Sequence, residues 1–396
     1  MKFAHITDCH LGGWRQPELQ ELNIKYFRKA IDSCIDEKVD FILFTGDLFD
    51  TAFPPIEILK ETIAEFKRIK DEGIKSYLIA GSHDYSVSGK TFLDILEKAG
   101  FCEICEYEES EEEVILKPLK HESIHIYGYP GKKSGLEVPS VKKLKILEPY
   151  QNNFRILMLH TTLTEVTENL PIESVALSEL PEADYYALGH IHIDYEHEKD
   201  GKPVVYGGPT FPNNFKELED LRGGCFYIVE INGFTKVTKK EIRLKEVDYL
   251  EIEIDNAITG TQKIISELEK KTDLKDKIFL LKVYGIIKKG KPSDINFQEI
   301  QEYLEKKEVY SFLKNTSKFQ TEKTEIQLET NSKEMEKVEE VLIKKYEKEN
   351  PSEFNELIFQ LMDNLNLEKQ EAETNPTFEK RLLEGLGKVL NLELMD

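Results

Sequence analysis

The chain has 396 residues, about two and a half times the ~150 of a typical domain, so two or three domains and a sizeable core are expected. Lys and Arg total 53 against 75 Asp and Glu, a formal net charge of −22 that excludes holding a polyanion by bulk electrostatics alone. Five thinly spread Cys exclude a disulfide scaffold and fit a reducing compartment, and no apolar stretch approaches ~18 uncharged residues, so signal peptide and membrane span are excluded and a cytoplasmic location is expected.

Up to about residue 232, short apolar runs alternate with helical patterns, which predicts α/β layering. Strands are expected at Lys2–Thr7, Phe41–Thr45, Lys75–Ala80, Ser123–Tyr129, Arg155–Leu159, Tyr185–Leu188, Pro203–Tyr206 and Cys225–Glu230. Apolar residues at helical spacing (Ile24, Phe27, Ile31, Ile35, then Ile56, Leu59, Ile63, Phe66) place helices between the first three, making two β-α-β crossovers. The later strands follow closely, with turn residues such as Asp200-Gly201 between them, and predict a second sheet packed on the first. From Val247 to about Leu313, strand, helix, strand, helix and strand patterns predict a second compact unit. Asn315 to Met335, poor in large apolar residues, reads as a linker. Two amphipathic segments follow, one with Leu357, Leu361 and Leu365, the other with Leu382, Leu386 and Leu390; neither can bury its apolar face alone, so both are expected to dock on something.

Chemistry-bearing residues fall where strands end: Asp8-Cys9-His10, Gly46-Asp47, Gly81-Ser82-His83-Asp84, His160 and Gly189-His190-Ile191-His192. Ligands of α/β sheets gather outside the carboxyl ends of strands, so these groups are expected on one rim. Two-residue spacing on an extended backbone would point Asp8 with His10, and His190 with His192, to one side. Mixed imidazole and carboxylate suit Mn, Fe or Zn, and six or seven ligands imply two divalent ions, with Asp47 the natural bridge. His83 reads as general acid, oriented by Asp84.

These motifs resemble the calcineurin-like metallophosphoesterases. More specifically, Met1 to Gly12, Thr45-Gly46-Asp47-Leu48-Phe49 and Tyr186-Ala187-Leu188-Gly189-His190-Ile191-His192 resemble the meiotic-recombination (Mre)/SbcD-type double-strand-break-repair nucleases. The resemblance implies an α/β sandwich of two packed sheets flanked by helices over residues 1–232, a small α+β capping domain at 243–319, a linker at 320–334 and partner-binding helices at 335–396. It implies a manganese-dependent endo- and exonuclease acting on duplex DNA ends, with a coiled-coil ABC-type ATPase of the SbcC/Rad class gripped by the terminal helices, and a homodimer through the helices near 56–70 and 90–98. Asp8, His10, Asp47 and His192 would hold one ion; Asp47, Ser82, His160 and His190 the other; His83 and Asp84 would be the catalytic pair.

Two positions depart from the family pattern. Ser82 stands where the family has an Asn ligand, and a hydroxyl is the poorer neutral donor. Asp50 stands where many members have a His, which bears on the exonuclease mode. Alternatives are a calcineurin-like phosphodiesterase on a small substrate and a weakly catalytic scaffold of the same complex. Outside the motifs, Cys102 and Cys105 read as incidental thiols, His121, His125 and His197 as surface residues, Glu108–Glu113 as a solvated loop, and Lys132, Lys133, Lys142, Lys143 and Lys145 as candidate phosphate contacts.

Overall fold

The computed structural model describes residues 1–86, 91–150, 153–167, 172–321, 355–365, 367 and 375–390. Two six-stranded sheets form its centre. The first runs Thr235–Ile242, Gly224–Ile231, Lys2–Ile6, Phe41–Thr45, Lys75–Ile79, Glu103–Ile104 in spatial order, and the second Asp194–Lys199, Lys202–Gly207, Tyr185–Gly189, Phe154–His160, Ile124–Tyr129, Leu119–His121. All eight expected strands are present. The ones not foreseen are edge strands or short: Asp194–Lys199 and Thr235–Ile242 are too rich in Lys and Glu to read as buried, and such charge is what keeps an exposed edge from pairing with other chains. Thr235–Ile242 carries the first sheet past the boundary expected at 232. Tyr107–Glu109 pairs with Val114–Leu116 in a small third sheet, so the acidic stretch is partly strand.

Alternation along the strands decides what each face meets. Phe3, Phe41, Leu43 and Tyr77 face Ile126, Ile156, Met158, Tyr185 and Val205 across the gap between the sheets. Ala4, Ile6, Ile42 and Phe44 face the other way, onto Phe27 and Ile31 of helix Pro17–Asp36 and Phe66 of helix Ile56–Asp71. The inward parity that begins with Phe3 and Phe41 continues to His5, Thr45 and, on the partner sheet, His160. The inter-sheet core therefore turns polar toward the strands' carboxyl ends. His5 marks the transition: fully buried, it hydrogen-bonds Tyr185 Oη (3.1 Å) and Thr45 Oγ1 (2.9 Å).

In the segment expected to be a capping domain, Val247–Glu253 and Ser311–Asn315 flank Ile278–Ile287, which also pairs with Phe319–Thr321. Every pair is parallel, with helices Gly260–Glu269 and Phe297–Lys306 as crossovers. One face of the sheet packs on those helices through Phe279, Leu281, Ile264 and Ile300. The other brings Ile278, Leu280 and Leu313 into the same core as helix Pro17–Asp36, where Tyr310 Oη donates to the Glu18 carbonyl (2.9 Å). Residues 1–322 form one compact unit and 323–396 a second. Beyond Thr321 the expected linker lies outside the described residues. In the second unit, Ile358–Leu365 and Asn375–Leu390 pack on each other and leave Leu365 and Leu383 more than half exposed. No helix among the described residues is long and apolar enough to cross a membrane.

Burial pushes the His5 imidazole down to about 3. The unfolded chain, with an ordinary His value near 6.5, then binds the proton more readily than the folded one, so this group costs stability as pH falls from about 6.5 toward 3. Replacing it by His5→Gln is expected to remove up to about 1.4 kcal/mol per pH unit from the slope of unfolding free energy between about pH 6 and 4, measured by denaturant titration. An unchanged slope would mean that His5 is charged in the folded chain.

Candidate metal centre

The ladder between the first two strands runs on past their ends. Asp8 N donates to the Gly46 carbonyl (3.1 Å), His10 N to Asp47 (2.9 Å) and Leu11 N to Leu48 (3.0 Å). The backbone there is not extended, as the two-residue spacing led one to expect. Asp8 (φ 50°), His10 (φ 42°), Asp47 (φ 49°) and His190 (φ 98°) all lie in the left-handed region. For residues with a Cβ that costs on the order of 1–2 kcal/mol each, and such strain gathers at sites where geometry is fixed by function. Two glycines make the room: a Cβ on Gly46 would lie 2.2 Å from His160 Nδ1, and one on Gly81 2.2 Å from the Asp47 amide nitrogen.

The structure brings all seven expected ligands together. Asp8, His10 and His192 offer donor atoms within 4.8 Å of one another, as do Asp47, His160 and His190. Asp47 Oδ2 stands between the groups, 3.1 Å from His160 Nε2 and 3.6 Å from His10 Nε2, and accepts from Ser82 Oγ at 3.3 Å. Asp47 Oδ1 accepts the His83 amide (2.7 Å), and Asp8 Oδ1 accepts the His190 amide (3.1 Å).

Three imidazoles are tethered by their outer nitrogen: His10 Nδ1 to Asp50 Oδ1 (3.1 Å), His192 Nδ1 to Glu217 Oε1 (2.9 Å) and His160 Nδ1 to the Thr45 carbonyl (2.9 Å). With those protons on Nδ1, each Nε2 presents a lone pair inward, the usual arrangement of metal-bound histidine. His160 Nε2 is buried and makes no hydrogen bond of acceptable angle among the described residues. His10 Nε2 and His192 Nε2 face each other at 2.9 Å, a separation that two lone pairs tolerate only with a proton or a cation between them. The residues therefore fit a pair of divalent ions, with donors of the nitrogen and oxygen kinds that suit Mn, Fe or Zn.

Without an ion, the charges respond as a cation site should. Burial disfavours a charged His160, but the Asp47 and Asp8 carboxylates outweigh it and raise the imidazole to about 10. Burial likewise opposes charge on His192, and Glu217 and Asp8 raise it to about 9. Burial would lift Asp47, yet His160, His10 and the His83 amide hold it far below the carboxylate range. His190 falls to about 4 through burial and the neighbouring His160 charge.

His83 sits at the rim with its side chain 47% exposed, its ring packed edge-on against His10. Its expected partner, Asp84, is turned to other groups. Among the described residues Asp84 makes no hydrogen bond to His83; its carboxylate takes the amides of Leu48, Phe49 and Gly81 (2.9–3.1 Å) and so locks the Asp47 turn to the Ser82 turn. Burial and the nearby Asp47 charge raise Asp84 to about 6. His83 Nδ1 instead donates to the Asp50 carbonyl (2.8 Å), with Asp50 Oδ1 3.6 Å away. Asp50, expected to bear on the exonuclease mode, is thus tied to both His10 and His83.

The sequence reading missed Glu217 and Asn213. Asn213 Nδ2 donates to Asp50 Oδ1 (3.1 Å). Their one signal was the Asn213-Asn214 pair three or four residues before an acid, a helix start whose cap is Asn214. Four of the five candidate phosphate-contacting lysines are engaged by the chain itself: Lys132 with Glu109, Lys142 with Glu179, Lys143 with the Glu111 carbonyl and Lys145 with Glu113. Lys133 lines an open cleft of about 360 Å³ with Ser82, His83 and Asp50. His125 is buried on Glu148 (2.8 Å) rather than free on the surface, and Cys102 and Cys105 are buried thiols.

Residues 1–194 match the calcineurin-like phosphoesterase family. The chain is 27% identical over 363 residues to the "DNA double-strand break repair protein Mre11" of Archaeoglobus fulgidus, covering 81% of this chain and 79% of that one. Proteins of the same name from Sulfurisphaera tokodaii (29% over 329 residues, 76% and 77% covered) and Saccharolobus solfataricus (30% over 248 residues, 59% and 61% covered) are similar to it as well.

Ser82 Oγ reaches only as far as Asp47, and an amide oxygen extends further and donates more strongly. Ser82→Asn is expected to tighten Mn²⁺ at one of two sites, read by calorimetric titration; an unchanged affinity would mean that the hydroxyl, or a water it holds, already serves as well.

Proposed function

Because the chain belongs to the calcineurin-like metallophosphoesterases, and among them to the Mre/SbcD-type double-strand-break-repair nucleases, it is a metal-dependent phosphodiesterase, and we propose that it cuts DNA at duplex ends with Mn²⁺ in both sites. The observation that carries this reading is the convergence of six imidazole and carboxylate donors, with Ser82 against Asp47, at strand ends beside one exposed imidazole, His83. Asp8, His10, Asp47 and His192 would hold one ion and Asp47, Ser82, His160 and His190 the other. Such a pair supplies a water of lowered pKa and offsets charge on the phosphate during in-line displacement.

The rest falls to the chain. With its Nδ1 proton held by the Asp50 carbonyl, His83 turns Nε2 toward the cleft it shares with Ser82 and Lys133. In its imidazolium form it delivers the Nε2 proton to the departing oxygen of the scissile bond. Asp84 keeps the turns carrying Asp47 and His83 at fixed separation, so its part is positional.

DNA affinity belongs chiefly to a complex on this reading, since a chain of net charge −22 with its basic cluster internally paired neutralises few phosphates. The exposed apolar residues of Ile358–Leu365 and Asn375–Leu390 support docking on a coiled-coil ABC-type ATPase. Exposed Phe53, Ile56 and Ile95, beside Phe92, support a homodimer through helices Ile56–Asp71 and Phe92–Lys98.

The test is hydrolysis of end-labelled duplex in Mn²⁺, Mg²⁺ and chelator, with and without the ATPase, by the chain and by His83→Ala. Chelator should abolish cutting, and the variant should lose ~10²–10⁴ in rate while calorimetry still finds two ions bound. Full activity in the variant, or loss of an ion from it, would contradict the role given to His83.

A further inference from the structure

We propose that Asn213 to Glu219 is a strut through which the capping unit holds the imidazoles of the first metal site, with Glu217 and Asn213 as positioning residues. The inference rests on the reading that Asp8, His10 and His192 take a divalent ion.

The strut touches the site at two points. Glu217 uses both carboxylate oxygens: Oε1 accepts from His192 Nδ1 (2.9 Å) and Oε2 from the Asn213 amide (2.7 Å). Asn213 in turn donates to Asp50 Oδ1 (3.1 Å), the same oxygen that accepts from His10 Nδ1 (3.1 Å). Both imidazoles of the site therefore lean on one short segment. A carboxylate behind an imidazole fixes the ring and raises its basicity.

The segment is anchored from outside the nuclease sheets. Helix Phe215–Leu221 lies against strands Val247–Glu253 and Ser311–Asn315, and Leu218 is fully buried. Two residues past Glu217, Glu219 Oε1 meets Lys282 Nζ of the capping strand Ile278–Ile287 at 3.0 Å. The pair is four-fifths buried; among the described residues Lys282 is shared only with Glu251 at 3.3 Å, and Glu219 also meets Lys216 of its own helix at 3.6 Å. Chain connectivity does not impose this contact, since Glu219 and Lys282 are far apart in sequence. A capping unit displaced from the nuclease domain would pull on Glu219 and loosen both tethers together, while Asp47, His160 and His190 have no partner on the strut among the described residues.

The experiment is calorimetric titration of Mn²⁺ into the full chain, with Mn²⁺ electron paramagnetic resonance to count bound ions. Glu217→Ala should weaken one of two sites by roughly 10–100-fold and leave the other alone. Glu217→Gln keeps an oxygen for His192 Nδ1 and should recover most of that loss, which a fold defect would not. Lys282→Met, which touches no ligand, should weaken the same site by roughly two- to fivefold, the scale of a partly exposed ion pair. Wild-type affinity at both sites in Glu217→Ala overturns the positioning role, and wild-type affinity in Lys282→Met overturns the strut. Failure of the wild-type chain itself to bind Mn²⁺ overturns instead the metal reading beneath both.

Discussion

A carboxylate stripped of water has to be compensated, and Asp47, 2% exposed, is compensated by almost everything that defines the site: the His83 amide, the Ser82 hydroxyl and the imidazoles of His160 and His10. An unpaired charge at that depth would cost several kcal/mol. The surrounding architecture follows from placing these groups. Gly46 and Gly81 clear the space, the left-handed turns at Asp8, Asp47 and His190 aim the donors, and a second buried carboxylate, Asp84, ties the two turns together through three backbone amides. Two carboxylates this close raise one another's proton affinity, so the cation-rich surroundings of Asp47 and the amide cage of Asp84 divide the charge between them.

Much of this was legible in the sequence because the signals were periodic or repeated. Phe41–Thr45 and Phe154–His160 are near-continuous apolar runs, and a polar residue closing such a run marks the carboxyl end of a buried strand. Five such closures, each bearing Asp or His, pointed to one rim, where the six expected imidazole and carboxylate donors meet and Ser82 lies against Asp47. What stayed hidden was tertiary. Spacing suggested an extended Asp8-Cys9-His10, but the ladder to Gly46 and Asp47 bends that backbone into positive φ. Adjacency suggested Asp84 as the partner of His83, whereas the chain turns so that Asp84 faces backwards into amides and Asp50 supplies the contact. Glu217 and Asn213 carry no periodic signal, since their value lies in reaching His192 and Asp50 from the start of helix Phe215–Leu221.

Charge divides along the same lines. The chain carries a net charge of −22, and the lysine cluster from Lys132 to Lys145 is largely spent on Glu109, the Glu111 carbonyl, Glu113 and Glu179. A polyanion would meet little long-range attraction outside the cleft of His83 and Lys133.

On the proposed reading Asp47 would bridge two ions at the ends of the inner strands. Anomalous diffraction from crystals of the chain grown with Mn²⁺ tests it most directly. Two peaks about 3.5–4 Å apart are expected, with one Asp47 carboxylate touching both, His10 and His192 on one ion and His160 and His190 on the other. A single ion, or a pair that leaves Asp47 uncoordinated, would contradict it.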